Sequence, residues 1–532
     1  MIAGRWCAAQ GPTFSPLDAT TGQALDPPFH VAGKGEVDLA VQAAVEAFEQ
    51  SRRLAPAWGS RLLEAIAERI MDLGDALLAR AHAETALPIR PRLEAERTRT
   101  CNQLRLFAEL AREGSWVEAV IETAQPAAAG RQPVPKPDLR RMYQPIGPIA
   151  VFDASNFPFA FGPCGGDTAS ALAAGNPVVV KAHWAHPGTD ELFAAAALAA
   201  LRELDLPAGL FSLLHGPGAE AGACLATHPG VEAVAFTGSR AAGRALFNLA
   251  AARPKPIPVF AEMGSLNPLV ILPGALSERG AAIARELAGS ITLGVGQFCT
   301  KPGIICALES ASLSAFADAL CAALAAAPPA VMLNPPLRKA FLEGVEKLAT
   351  ASHVHTRLRS SGSGPTPVAA ALFEVDAADW LLHPEWQEEI FGPAAILVRC
   401  GTLDQVRRVI QSIGGSLTGT LHVGAGDDPK VVLEILHRLE GVSGRVIVNG
   451  YPTGVEVCGA MSHGGPYPAT TAPASTSVGT LAIRRFVRPV CYQNVPDDYL
   501  PPALRNANPL GIVRQVDGRS TKDPLEKEAV ET

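Results

Sequence analysis

The sequence predicts an α/β protein built on parallel β-sheet, and three observations carry that prediction. Short apolar runs alternate with helical patterns from Ile149 to Phe260, and the alternation restarts at Leu269. At 532 residues the chain is too long for one hydrophobic core, so two or three domains are expected. Between residues 123 and 139, Pro126, Pro133, Pro135 and Pro137 cannot donate to a sheet ladder or sit inside a helix. That segment reads as an excursion between strands.

The elements follow in order. Residues 1–30 are rich in Pro, Gly and Thr and read as an irregular arm with short strands. From about Gly35, Val37, Ala40, Val41, Ala44, Val45 and Phe48 recur at helical spacing. Further helices are expected over 62–84 and 92–112, and a short strand over 140–144. Strands are then expected at 149–152, 176–181, 210–214, 234–237 and 258–260. Helices at 161–174, 189–204, 220–227 and 240–252 separate them, with Thr189 as an N-cap. Past Asn267-Pro268 come strands at 269–272 and 304–308 and helices at 280–292 and 313–327. The Ser-Gly run 360–364 reads as a surface turn, and 430–449 as a helix and a strand. Residues 450–480 read as long loop, 480–485 as a strand, and the polar residues past about 505 as frayed.

Composition narrows the function. The chain is 48% hydrophobic and 18% charged with net charge -7, and no Lys/Arg block suggests nucleic acid. Its longest apolar run, 192–201, is far short of the roughly 20 residues of a membrane span. The N-terminus lacks the pattern of a signal peptide, so a cytoplasmic location is expected. Ten cysteines are scattered without a CxxC pair, so no metal site is expected.

Several stretches can carry chemistry. Cys299 lies in Gly296-Gln297-Phe298-Cys299-Thr300, between flexible glycine and a small polar residue. Glu262, in Ala261-Glu262-Met263-Gly264-Ser265, offers a carboxylate that could serve as base. Phe236-Thr237-Gly238-Ser239 follows a strand and opens a helix, where bare N–H groups favour a phosphate. Asn156, in Ser155-Asn156-Phe157-Pro158-Phe159, could donate to an oxyanion. Lys181 closes Val178-Val179-Val180-Lys181, and Glu389-Ile390-Phe391-Gly392-Pro393 sets a carboxylate and an aromatic before a turn. Alone, each of these also reads as an ordinary turn or strand end.

Together, in this order and at these spacings, the six motifs resemble the aldehyde dehydrogenase superfamily over about residues 20–500. The resemblance implies that Cys299 is the nucleophile and that the Asn156 amide, with the Cys299 backbone N–H, holds an oxyanion. It implies that Glu262 activates the hydrolytic water. For the cofactor it implies Glu389 at the nicotinamide ribose with Phe391 nearby. Gly238 and Ser239 would lie at the pyrophosphate, Lys181 at a ribose or phosphate, and Gly218, Gly222 and Gly243 would allow close approach. The fold implied is a Rossmann-type cofactor domain (1–122 and 147–263) and an α/β catalytic domain (264–465). A small β oligomerisation segment (123–146 and 466–500) and a tail (501–532) complete it. A homodimer or homotetramer is the family expectation.

Further stretches, 181–189, 296–303, 452–457 and 483–494, are similar to the branch of α-ketoglutaric semialdehyde (2,5-dioxovalerate) dehydrogenases. That branch also includes a bacterial fatty aldehyde enzyme. A medium- or long-chain aliphatic aldehyde is therefore the alternative substrate, and a non-catalytic member of the fold or a cysteine hydrolase are rivals. Trp184 stands where NAD-preferring relatives carry a ribose-gripping glutamate, so NADP is expected, with NAD also used. Phe159, Phe298 and the loop 452–462 are expected to line the substrate entrance, and no cation for a substrate carboxylate is evident.

Overall fold

The computed structural model describes residues 1–532 except 10, 55–56, 128–134, 360–366 and 526–532. The expected turn at 360–364 and part of the 123–139 excursion therefore lie outside the described residues.

The chain alternation produces two parallel sheets. The first has five strands in the order Phe211–Leu214, Val178–Lys181, Ile149–Phe152, Ala233–Thr237, Val259–Glu262. Every pairing in it is parallel. Successive side chains of a strand point to opposite faces, and the packing shows it. Ile149, Val151, Val178, Val180 and Ala235 pack with Phe193 and Ala169 on one side. Ala150, Val179, Val234 and Ala261 pack with Val37, Val41 and Leu246 on the other. Strands buried on both faces explain the unbroken apolar runs. The chain runs outward from Ile149–Phe152 to Phe211–Leu214, then returns to add Ala233–Thr237 on the opposite side. That reversal leaves a crevice beyond the strands' carboxyl ends.

The second sheet has seven strands in the order His355–Leu358, Ala371–Asp376, Ala394–Cys400, Ile304–Leu308, Leu269–Ile271, Ser416–His422, Ser443–Val448. Only the edge strand His355–Leu358 runs antiparallel. Six residues, 263–268, join the last strand of the first sheet to Leu269–Ile271, an interior strand of the second. A third sheet takes Val487–Gln493, Leu139–Pro145, Val120–Glu122, Arg514–Val516 and Arg519–Thr521 in that order. No helix among the described residues is long and apolar enough to cross a membrane.

Several expectations need correcting. Residues 480–485 are not a strand: Thr480–Phe486 is a 3-10 helix, and the strand begins at Val487. Ala482, Ile483, Arg485 and Phe486 are buried there, and Arg485 pairs with Asp167 at 2.5 Å. Residues 506–525 are not frayed, and the rest of the expected tail lies outside the described residues. Arg514 is 1% exposed and donates to the carbonyls of Arg505, Asn506 and Asp523, so a buried cation gathers a polar segment. The 62–84 helix is two, Trp58–Asp72 and Gly74–Thr85, broken at Gly74 with φ 57°. Thr189 lies inside Pro187–Glu203 rather than capping it; its N–H and hydroxyl donate to buried Glu84.

Candidate active site

The loop that carries Cys299 enters the second sheet at the amino end of Ile304–Leu308. Three successive residues before it are left-handed: Gly294, Val295 and Gly296, with φ 56°, 60° and 65°. A β-branched residue there is costly, so surrounding contacts must hold it. At Gly296 a side chain would run into the backbone of Gly392. Asn267 donates its amide to the carbonyls of Cys299 (2.7 Å) and Lys301 (2.9 Å). The Ser265 hydroxyl fixes that amide at 2.8 Å. On the other side Lys301, 2% exposed, donates to the carbonyls of Ile390 and Ala394. The cysteine loop is thus tied both to the inter-sheet connector and to the segment bearing Glu389.

A cavity of about 470 Å³ opens where the carboxyl ends of the first sheet face this loop. Asn156, Gly238, Ser239, Glu262, Cys299, Glu389 and Phe391 all line it. Glu262 ends the strand Val259–Glu262, and Gly238 donates its N–H to the Glu262 carbonyl at 3.0 Å. Ser239 caps the helix Arg240–Ala251 by accepting from the Ala242 N–H. Asn156 gives one amide proton to the Gln297 carbonyl at 3.0 Å, which aims the amide at the cysteine loop.

Burial dominates the electrostatics. It pushes the Cys299 thiol up to about 12, with the carboxylates Glu389 and Glu262 adding to the rise and Arg99 opposing it. A thiol so placed stays protonated at neutral pH. Burial raises Glu262 to about 8, against the pull of Arg485, and Glu389 to about 7, against Lys301. These are values at which a carboxyl group can exchange a proton near neutrality.

The remaining expected residues do not line the cavity. Lys181 is 8% exposed, and its ammonium is committed to the carbonyls of Ala182 (3.0 Å) and Gly216 (2.5 Å). Gly218 lies in the loop after Phe211–Leu214. Gly222 lies within the helix Glu220–Thr227 and Gly243 within Arg240–Ala251, where a side chain would press on Phe152 and on Met263 respectively. Phe159 is not at the entrance either. It is fully buried against Phe193 at 5.3 Å between ring centres, and Phe157 and Phe161 line the cavity in its place.

His463 was not singled out from sequence. Its Nε2 lies 3.5 Å from the Cys299 sulfur. Burial lowers the ring to about 3, so it is neutral. Thr476 accepts its backbone N–H, and Ser477 donates to its carbonyl. The available signal was a lone histidine before Gly464-Gly465 in a Gly- and Pro-rich loop. Asn267, the pin of the cysteine loop, was also passed over. Its φ of 49° is one that asparagine tolerates.

The cavity offers unpaired polar atoms to a ligand. Among the described residues, Thr237 Oγ1, Glu262 Oε2, Glu389 Oε1 and both oxygens of Asp153 are buried without a hydrogen-bond partner, and all line it. Ser239 opens a helix on the same wall, where free N–H groups suit a phosphate.

The pattern that defines the Aldehyde dehydrogenase family matches residues 6–467. The chain is 49% identical to α-ketoglutaric semialdehyde dehydrogenase 2 of Azospirillum brasilense over 526 residues, 98% of each chain. It is 42% identical to α-ketoglutaric semialdehyde dehydrogenase of Acinetobacter baylyi, again over 98% of each. Among solved structures, γ-glutamyl-γ-aminobutyraldehyde dehydrogenase from Burkholderia cenocepacia superposes with TM-score 0.77 at 23% identity. That match covers 92% of this chain and 95% of the other. The 1-pyrroline-5-carboxylate dehydrogenase from Thermus with bound NAD gives TM-score 0.76 at 20% identity, over 93% and 92%.

Proposed function

Because the chain belongs to the aldehyde dehydrogenase family, it oxidises an aldehyde to a carboxylic acid with a nicotinamide dinucleotide; we propose that the aldehyde is α-ketoglutaric semialdehyde and that Cys299 carries the acyl group. The observation that carries the chemistry is one cavity lined by Cys299, Glu262, Asn156 and Glu389. The substrate reading rests on near full-length likeness to two α-ketoglutaric semialdehyde dehydrogenases.

In this reading the Cys299 sulfur attacks the aldehyde carbon to give a thiohemiacetal. The neutral His463 ring lies against the sulfur and holds the S–H in place, and the thiol proton leaves to ionised Glu262 as the C–S bond forms, from which it passes to water before hydrolysis. The second amide proton of Asn156 and the backbone N–H of Cys299 hold the oxyanion. When bound, the nicotinamide supplies the hydride acceptor, and a thioester remains on Cys299. Glu262, once ionised, removes a proton from the water that hydrolyses the thioester, and Cys299 is released. The orphaned Glu389 oxygen suits a ribose hydroxyl, and Gly238 and Ser239 suit the pyrophosphate.

NADP is the proposed cofactor, with NAD also used. Trp184 lines the cavity and offers no carboxylate to repel a 2′-phosphate. A cytoplasmic homodimer or homotetramer is the proposed form, with the exposed edge strand Val487–Gln493 available for pairing.

The test is purified protein with α-ketoglutaric semialdehyde and either NADP or NAD, following reduced cofactor. Formation with a micromolar KM is expected. No reduced cofactor with this substrate, but turnover of decanal, would replace the substrate reading with the aliphatic one.

A further inference from the structure

A semialdehyde of this kind carries a carboxylate four carbon–carbon bonds from the aldehyde carbon, roughly 5 Å away when extended. Burying that charge without a partner is costly. The cavity should therefore present a cation near Cys299 whose own hydrogen bonds are not already spent.

Most cations around the thiol are spent. Arg92 is tied to Glu96 and to the Asn156 carbonyl. Arg445 donates to the carbonyls of Gly454 and Pro452. Lys301 is held by two carbonyls and Arg485 by Asp167. Arg99 differs. It projects from the helix Glu94–Glu113 and is half-buried. Its guanidinium carbon lies 5.3 Å from the Phe157 ring centre and 5.9 Å from that of Phe161, and both rings line the cavity. Its Nε is buried without a hydrogen-bond partner, as are those of Arg92 and Arg445, but unlike theirs its remaining guanidinium N–H groups are engaged by no hydrogen bond or ion pair among the described residues. Of the acids near it, Glu96 is taken by Arg92 and by the N–H groups of Phe159 and Ala160. Glu456 is exposed on the loop opposite. The positive charge of Arg99 reaches both Cys299 and His463.

We propose that Arg99 receives the remote carboxylate of the substrate and so selects an ω-aldehyde acid over a neutral aldehyde of equal length. A guanidinium lying on aromatic faces keeps its edge N–H groups free, in a fork that matches a carboxylate. The rings hold it in place without using those donors. This inference rests on the substrate reading above.

The experiment compares α-ketoglutaric semialdehyde with pentanal, which has the same carbon count and no carboxylate. kcat and KM are measured for the wild type, Arg99→Met, Arg99→Gln and Arg99→Lys, with thermal unfolding as a check on folding. A charge-assisted pair predicts that the ratio of kcat/KM, acid over pentanal, falls about 10- to 100-fold in Arg99→Met and Arg99→Gln. The loss should lie mainly in KM, and Arg99→Lys should recover part of it. A folded variant that loses both substrates equally, or neither, overturns the inference and leaves the substrate reading standing. A wild type that prefers pentanal overturns the substrate reading and this inference with it.

Discussion

The two parallel sheets are built alike but meet the cavity with opposite ends. The first presents loops that follow its strands: Asn156 after Ile149–Phe152, Gly238 and Ser239 after Ala233–Thr237, and Glu262 at the end of Val259–Glu262. That is the usual place for a ligand in an open α/β sheet. The second presents segments that precede its strands: Cys299 before Ile304–Leu308, and Glu389 and Phe391 before Ala394–Cys400. Those two strands are neighbours, so their entry segments can brace each other, as Gly296 does against Gly392. Carboxyl-end loops of a sheet suit a long ligand. A braced amino-end segment suits a single reactive atom that must not drift.

Four experiments break or sharpen that contrast. Cys299→Ala should abolish aldehyde oxidation, on the order of 10⁴-fold or more, while cofactor still binds the first sheet. Retained oxidation would remove the second sheet from the chemistry. Glu262→Gln tests the exception, a first-sheet residue with a chemical role. It should give one burst of reduced cofactor and then turn over about 10²- to 10⁴-fold more slowly. The sign of the pH effect is fixed by the base having to be ionised. With Glu262 raised to about 8, deacylation-limited kcat should climb as pH rises through about 8, and Glu262→Gln should flatten that limb. A variant that keeps both the steady rate and the limb excludes Glu262 as base. Gly296→Ala forces a side chain onto Gly392 at φ 65° and should lower unfolding stability by about 2 kcal/mol. Denaturant titration reads this, and an unchanged midpoint would mean the two entry segments are not braced. The smallest effect belongs to the first sheet. Trp184→Glu should shift the NADP/NAD ratio of kcat/KM about tenfold toward NAD without changing the pH limb. No shift would remove Trp184 from cofactor choice.

The first sheet could be read from sequence because strands buried on two faces leave apolar runs separated by helical periods; of the second only Leu269–Ile271, Ile304–Leu308 and the strand within 430–449 were read, and His355–Leu358, Ala371–Asp376, Ala394–Cys400 and Ser416–His422 were not. The six motifs were legible because each lies beside a strand end with Gly or Pro punctuation. Phe159 was misplaced because alternation within a turn cannot be told from alternation along a strand; Phe157 and Phe161 face the cavity instead. Lys181 was expected at a ligand, yet whether a strand-end ammonium turns to solvent or to nearby carbonyls depends on the loop at Gly216, far along the chain. His463 and Arg99 escaped because their meaning comes from contacts across 164 residues in one case and from aromatic neighbours in the turn after Ile149–Phe152 in the other. The 480–486 helix was missed because its buried arginine, paired with Asp167, reads as a surface residue in a one-dimensional pattern.

The third sheet joins strands that lie far apart along the chain. Thr123 donates its N–H and hydroxyl to the carboxylate of Asp517, 394 residues later, and Val120–Glu122 lies beside Arg514–Val516. During synthesis the strands at 120–145 leave the ribosome long before their partners exist. At about 5–20 residues per second they wait on the order of tens of seconds with unpaired edges. The strands of the two larger sheets are emitted in that interval, so both can close before the third sheet has its partners.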